Sequence, residues 1–243
     1  MKGAVLAGGL GKRLYPLTKI TNKHLLPVCC RPMVFYPIEM LVEAGIDEIM
    51  IVTGGESAGD FLRLLGNGKE FGLKHLDYTY QEGERGIADA VSLCEHFSEG
   101  QRLVVILGDN ILEKSIKTYV EEFALQERGA KILLKEVPDA SRFGVAEIDD
   151  NKIVKIEEKP SHPKTNLAQT GVYMYDSQVF DIIRKIRPSS RGELEITDVN
   201  NIYIERGEMT FNILEGWWTD AGTFESLLRA NLLVAKKMGF RLE

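Results

Sequence analysis

The sequence predicts an α/β fold, a mainly parallel mixed sheet flanked by helices, and three observations carry that prediction. Strand-like runs alternate with helix-like ones through the first half of the chain, the order expected when helices cover parallel crossovers. An apolar run, Gly3-Ala4-Val5-Leu6-Ala7, opens directly into Gly8-Gly9-Leu10-Gly11-Lys12-Arg13. Residues 102–107 form a second apolar run, of the kind buried on both faces of a sheet.

Taken in order, residues 2–7 read as the first strand and 33–44 as a helix closed by Gly45. A strand over 48–53 ends in Gly54-Gly55, a short helix covers 58–65, and 76–81 alternates as a strand. A helix over 87–97 leads into the buried strand 102–107, which stops at Gly108-Asp109-Asn110. A helix over 116–127 and a strand over 131–136 continue the pattern. The spacing then tightens: 144–149, 152–157 and 168–175 read as strands, with Asp149-Asp150-Asn151 composed as a hairpin turn. Helices near 178–186 and 193–205 and a strand over 210–214 follow. The closing helix, 223–238, carries apolar residues at 224, 227, 228, 232, 235 and 238, with Thr223 as N-cap and Gly239 as stop. No repeat, low-complexity tract or Pro/Ser linker divides the chain. One domain over 1–243 is expected, with a nucleotide-type half over 1–112 and a closing half over 113–243.

Hydrophobic content of 44%, charged content of 27% and a net charge of −6 describe a globular chain. That charge argues against nucleic acid or an anionic membrane as main partner, so local cation clusters serve small anions. No apolar stretch approaches the roughly 20 residues of a membrane helix, and no signal pattern opens the chain. Three cysteines, Cys29, Cys30 and Cys94, lack metal-ligand spacing and fit a reduced, cytoplasmic setting. The four histidines (24, 75, 96 and 162) form no ligand pair, so zinc is not expected.

A buried strand emptying into glycines and two cations is a place where backbone N–H groups can face phosphate oxygens. Arg13 can grip phosphate with two prongs, and Lys12 adds a point charge. The Walker spelling is excluded because Arg13, not Ser or Thr, follows Gly11-Lys12. The dinucleotide fingerprint is excluded because the glycines fall at 8, 9 and 11. Ligands of open α/β sheets sit beyond the carboxyl strand ends, which groups this loop with Gln81-Glu82-Gly83 and Asp109. Asp109 reads either as an Asx-turn residue or as a magnesium ligand, and Asp220 either as a helix-entry residue or as a second carboxylate. With a phosphate loop, the two suggest a metal-bridged phosphate site.

The chain resembles the sugar-1-phosphate nucleotidyltransferases. The matching segments are LAGGLGKRLYPLT (6–18), NKHLLPV (22–28), RPMVFYPI (31–38), GDNI (108–111), FGVAEI (143–148), EEKP (157–160), TGVY (170–173), RGELEITDVN (191–200) and WTDAGT (218–223), in family order from end to end. The resemblance implies a Rossmann-like core of the nucleotide-diphospho-sugar transferase type with a sugar-binding half. It also implies dTTP and glucose 1-phosphate as substrates, Mg2+ as cofactor, a homo-oligomer, and a role in dTDP-rhamnose and surface polysaccharide synthesis. By the same resemblance, Gly8, Gly11, Lys12 and Arg13 hold the triphosphate, Arg13 stabilises departing pyrophosphate, and Lys23 binds phosphate. Asp109 and Asp220 are the magnesium carboxylates, Gln81 and Gly86 read the pyrimidine edge, and His24 falls among the nucleotide-binding positions. Asn110, Gly144, Glu158, Lys159 and Val172 match the sugar pocket, Glu158 accepting from hydroxyls and Lys159 meeting the sugar phosphate. Arg13, Lys23 and Lys159 are the implied catalytic cations.

Several positions depart from the family pattern. Lys12 replaces a threonine, His24 a glutamine and Phe143 a tyrosine, and Cys29-Cys30, read as structural, replace Tyr-Asp. Longer members add a helical extension that helps form a regulatory nucleotide site, and the resemblance does not reach that feature. The absence of any Ser/His/Asp or Cys/His arrangement agrees with an attacking phosphate that is already an anion. Transfer from UTP or to another sugar 1-phosphate is the nearest alternative, since thymine and uracil differ by one methyl. A silent nucleotide-sugar sensor is the alternative of a different class, and it should have lost one of the cations or carboxylates that this chain keeps.

Overall fold

A computed structural model describes residues 1–240. The elements in chain order are β1 (Lys2–Ala7), β2 (Pro27–Val28), β3 (Arg31–Pro32), α1 (Phe35–Glu43), β4 (Glu48–Gly54), α2 (Ala58–Leu65) and β5 (His75–Gln81). Next come α3 (Ile87–Ser92), α4 (Glu95–Ser98), β6 (Leu103–Leu107), β7 (Asn110–Leu112), α5 (Lys117–Leu125) and β8 (Ala130–Glu136). The chain continues through β9 (Gly144–Asp149), β10 (Lys152–Glu158), β11 (Leu167–Tyr175), α6 (Gln178–Ile183), α7 (Ile196–Glu205), β12 (Met209–Ile213), β13 (Trp218–Asp220) and α8 (Phe224–Lys237). The α/β class, with a mixed parallel and antiparallel sheet flanked by helices, is the one the sequence predicts.

Two compact units form, and the chain enters each more than once. The first holds Gly3–Glu84, Ile106–Ile116 and the segment from Glu215 onward; the second holds Met1–Lys2, Arg85–Val105 and Lys117–Leu214. The expected halves on either side of residue 112 therefore do not coincide with these units. The reason is a short antiparallel ladder, β7 with β13, which sets Asn110 opposite Asp220 and Leu112 opposite Trp218. It returns the last segment, closing helix included, to the unit that carries the glycine loop.

In the first unit β1, β4 and β5 run parallel, with Ala7 opposite Thr53 and Gly54 opposite Gln81, so their carboxyl ends lie level. β1 is buried throughout, as its unbroken apolar run requires. A Cβ on Gly3 would meet Leu41 Cδ1 at 2.9 Å, so α1 packs directly on the strand. Leu14, Leu26, Val28, Met33, Ile111 and Ala221 form one core cluster with Leu227, Ala230 and Val234 of α8. Three of these residues directly follow Arg13, Asn110 and Asp220 in sequence, so packing of α8 fixes the backbone beneath those side chains. Thr223 caps α8 in a reciprocal box, its Oγ1 accepting from Ser226 N and Ser226 Oγ accepting from Thr223 N, a device worth about 1 kcal/mol.

In the second unit β11 pairs antiparallel with β8 and β9, β9 with β10, and β12 parallel with β8. The β9–β10 turn places Asp150 and Asn151 at φ 44° and 57°, the left-handed pair expected of that hairpin. Two helices differ from expectation. The run 87–97 breaks into α3 and α4 because Ser92 Oγ takes the Asp89 carbonyl at 2.6 Å and Cys94 N bonds back only three residues, to Val91 O. α7 starts at Ile196 and not at 193, because Glu195 is extended and the Leu194 backbone is engaged elsewhere: its N–H donates to Arg85 O and its carbonyl accepts from Ala88 N.

Candidate active site

The level strand ends gather the sequence-singled loops at one edge of the first unit. Gly108 N donates to Leu6 O at 2.9 Å, which sets the exit of β6 beside that of β1. Gln81 closes β5 at the same level, its side chain buried. A Cβ on Gly8 would lie 2.9 Å from Gln81 Oε1, so the loop passes close against this amide. Gly11, at φ 66°, turns the chain into the 3-10 helix Lys12–Leu14, and its carbonyl accepts from Thr18 Oγ1.

Asn22 organises the loop from behind, a role the sequence reading missed. Its Nδ2 donates to Ala7 O at 3.2 Å, and its Oδ1 faces both His24 N and His24 Nδ1. His24 is 2% exposed and packs where a Cβ on Gly108 would stand, 2.7 Å from the ring. Burial first, and the Lys23 charge second, push its imidazole down to about 3, so it is neutral at physiological pH. The ring therefore supports the loop and presents no charge to a ligand. The only outward hint is that Asn22 precedes the segment Lys23–Leu25, whose first turn it caps.

Asp109 follows β6, and Lys23 Nζ pairs with its Oδ2; both side chains are largely buried. Burial alone would raise the Asp109 carboxyl, but Lys23 and hydrogen bonds from Lys23 and Asn110 hold it well below the usual carboxylate range. Asn110 Nδ2 donates to Asp109 Oδ1 at 3.0 Å, while its own Oδ1 accepts from Trp218 Nε1 at 2.6 Å. Asn110, implied as a sugar contact, thus spends these amide atoms on orienting Asp109, and Trp218 is core. Ala221 N donates to the Asp109 carbonyl at 2.8 Å, so β13 delivers Asp220 beside Asp109.

Gly222 marks where the charges meet. A methyl group built on it would lie 3.0 Å from an Arg13 guanidinium nitrogen and 3.3 Å from one carboxylate oxygen each of Asp109 and Asp220. Two carboxylates beside an arginine suit a hard divalent cation whose remaining ligands are phosphate and water oxygens. Among the described residues no group of three or more His, Cys, Asp or Glu side chains could hold a metal. Lys12, by contrast, reaches out to Glu84 at the surface.

The second unit holds four of the five implied sugar residues, Gly144, Glu158, Lys159 and Val172; Asn110 lies in the first. Glu158 Oε2 accepts from Thr197 Oγ1 at 2.6 Å, and its Oε1 lies 3.3 Å from Lys159 Nζ and from an Arg191 nitrogen. Lys159 holds φ 44° just before Pro160, a strained backbone of the kind kept at functional turns. A Cβ on Gly144 would crowd Gln169 and Thr197 at 3.2 and 3.3 Å, and Val172 is fully buried in β11, next to its bulge. Gly86, at φ 97°, lies so close to the Leu194 carbonyl that no side chain fits. Thr197 and Arg191 were not singled out from sequence, although both lie in the segment 191–200 that carried the resemblance.

Comparison with known proteins gives the chain's relatives. Residues 2–237 match the nucleotidyl transferase family. A glucose-1-phosphate thymidylyltransferase of Neisseria meningitidis is 42% identical over 95% of this chain and 81% of its own length. Its counterpart in Mycolicibacterium smegmatis is also 42% identical, with the same coverage of each chain. A Bacillus anthracis protein assigned as a glucose-1-phosphate thymidylyltransferase, solved with sucrose, superposes with a TM-score of 0.92 at 55% identity, covering 96% of this chain and 94% of that one. A UDP-glucose pyrophosphorylase bound to UDP-glucose, at 23% identity and a TM-score of 0.85 over 98% and 99% of the two chains, shares the fold.

Proposed function

Because the chain belongs to the nucleotidyl transferase family, we propose that it transfers a deoxythymidylyl group from dTTP to glucose 1-phosphate, giving dTDP-glucose and pyrophosphate. The observation that carries this reading is the meeting of Arg13, Asp109 and Asp220 around Gly222. An oxygen of the sugar phosphate attacks the α-phosphorus of dTTP; the new P–O bond forms as the bond to the β-phosphate oxygen breaks. Pyrophosphate leaves with that electron pair. The nucleophile is an anion near neutral pH, so no general base is required.

The barrier is repulsion between two polyanions, about 4 kcal/mol per unit-charge pair at 4 Å in an effective dielectric of 20. Family members generally use a divalent metal, and Mg2+ held by Asp109 and Asp220 would supply positive charge to the triphosphate. Arg13 meets the charge that grows on departing pyrophosphate, and Lys23, beside Asp109, presents its ammonium to the phosphates. Backbone N–H groups around Gly8 and Gly11 cradle the triphosphate, with Lys12 at the rim. Gln81 and the Gly86 backbone read the pyrimidine edge. Glu158 accepts from sugar hydroxyls, Lys159 holds the sugar phosphate, and Gly144 and Val172 shape the pocket. Asn110 and His24 act through Asp109 and the loop.

The test is pyrophosphate release by the purified chain with dTTP, glucose 1-phosphate and Mg2+, run beside UTP and other sugar 1-phosphates. Release with dTTP and glucose 1-phosphate at the highest kcat/KM is expected. Preference for UTP or another sugar reassigns the substrate, and release with no pair overturns the reading.

A further inference from the structure

The β2–β3 hairpin carries a feature that nucleotidyl transfer leaves unused. Val28 lies opposite Arg31, so Cys29 and Cys30 are the whole of a two-residue turn. Cys29 sits at φ 54°, the left-handed conformation that hairpin turns usually assign to glycine. α8 holds this strained residue in place, because Asn231 Oδ1 accepts from Cys29 N at 2.7 Å. The end of the same helix brings a third sulfur, with Met238 Sδ 3.8 Å from Cys30 Sγ. Cys30 is exposed, Met238 is half exposed, and Cys29, half-buried, packs against the core cluster of α8. Two adjacent cysteines and a thioether thus meet where the turn touches the end of α8.

We propose that Cys29, Cys30 and Met238 form a binding site for a soft, thiophilic monovalent cation of the Cu(I) type. Thiolate and thioether sulfurs select soft ions, whereas zinc seeks four ligands and magnesium or calcium seek oxygens. Each thiol gives up its proton as its S–Cu bond forms. Two protons are released per ion, and no electron moves.

The experiment titrates the reduced full-length chain, under argon, against the coloured Cu(I)–bicinchoninate complex. The parent is expected to withdraw one Cu(I) per chain, releasing two protons in weak buffer. Cys30→Ser and Cys29→Gly should withdraw none. The glycine variant suits the left-handed turn, so its loss of binding reports the missing thiol and not misfolding. Met238→Leu should bind at least about ten-fold more weakly, since even outer-shell partners of a metal site contribute that much. Cys94→Ala, which alters a fully buried cysteine elsewhere, should match the parent. A parent that cannot compete for Cu(I), a Cys30→Ser chain that still binds, or a Met238→Leu chain equal to the parent would overturn the proposal.

Discussion

Replacing Lys23 by methionine isolates the electrostatics of the charged cluster. The Lys23 and Asp109 side chains are 14% and 10% exposed, so removing the ammonium leaves a desolvated carboxylate with its hydrogen bond from Asn110. Breaking a buried ion pair from one side costs about 3–5 kcal/mol. The remaining exposure and the Asn110 bond place this case near 3 kcal/mol, or roughly 6–12 °C in Tm for a chain of this size. The pH dependence has a definite sign. In the parent, Asp109 lies below its unfolded value near 3.9, so its contribution is complete above that pH and is lost only in acid. In the variant, unopposed burial puts the carboxyl above that value, and its penalty grows as pH rises through the new one. The Tm gap between parent and variant should therefore narrow from pH 7 to pH 5. Mg2+ should also raise the variant's Tm more than the parent's, because a bound cation can stand in for the ammonium. Thermal scans at both pH values, with and without Mg2+, make the measurement. A parent-like Tm at pH 7, or a gap equal at both pH values, would refute the reasoning.

Arg13→Ala should lower kcat by at least about 100-fold, the scale of lost charge stabilisation in a transition state; near-normal turnover removes Arg13 from that role. Gly222→Ala puts a methyl 3.0 Å from the Arg13 guanidinium without changing charge. Its kcat should fall about 10- to 100-fold with Tm little changed, and a parent-like kcat would show that the three groups do not act together. His24, held neutral down to about 3, makes the folded chain lose roughly 2 kcal/mol between pH 7 and pH 5 as the unfolded state takes up the proton. Urea melts of His24→Gln should lack this loss, and an unchanged pH dependence would contradict the burial argument. Lys159→Ala should raise KM for glucose 1-phosphate with a smaller change for dTTP; the reverse pattern would move Lys159 to the triphosphate.

Long, regular patterns were readable in the sequence. The all-apolar β6, the β9–β10 turn and the Thr223 cap of α8 stand where periodicity and turn chemistry placed them. The grouping of the loop, Gln81 and Asp109 at one edge was expected from strand direction, and Gly108 N–H on Leu6 O sets the β6 exit beside that of β1. β7 and β13 escaped, because three residues carry no period, yet their ladder sets Asp220 beside Asp109. Asn22 escaped for another reason. Its carbonyl and amide partners, Ala7 and His24, are fixed by the folded loop, and composition cannot announce such a clamp. The late start of α7, at Ile196 and not 193, likewise depends on backbone partners at Arg85 and Ala88.

The β7–β13 ladder also sets the order in which competence arises during synthesis. A ribosome that has released the polypeptide only as far as Glu215 has already made the glycine loop, Arg13, Lys23 and Asp109, but has made neither Asp220 nor the helix that packs beneath them. Until the final stretch docks, the nascent product has one of the two facing carboxylates and an incomplete floor. Truncation from the C-terminal end should therefore silence the protein once α8 is lost, before Asp220 is reached, with much of the sheet still in place.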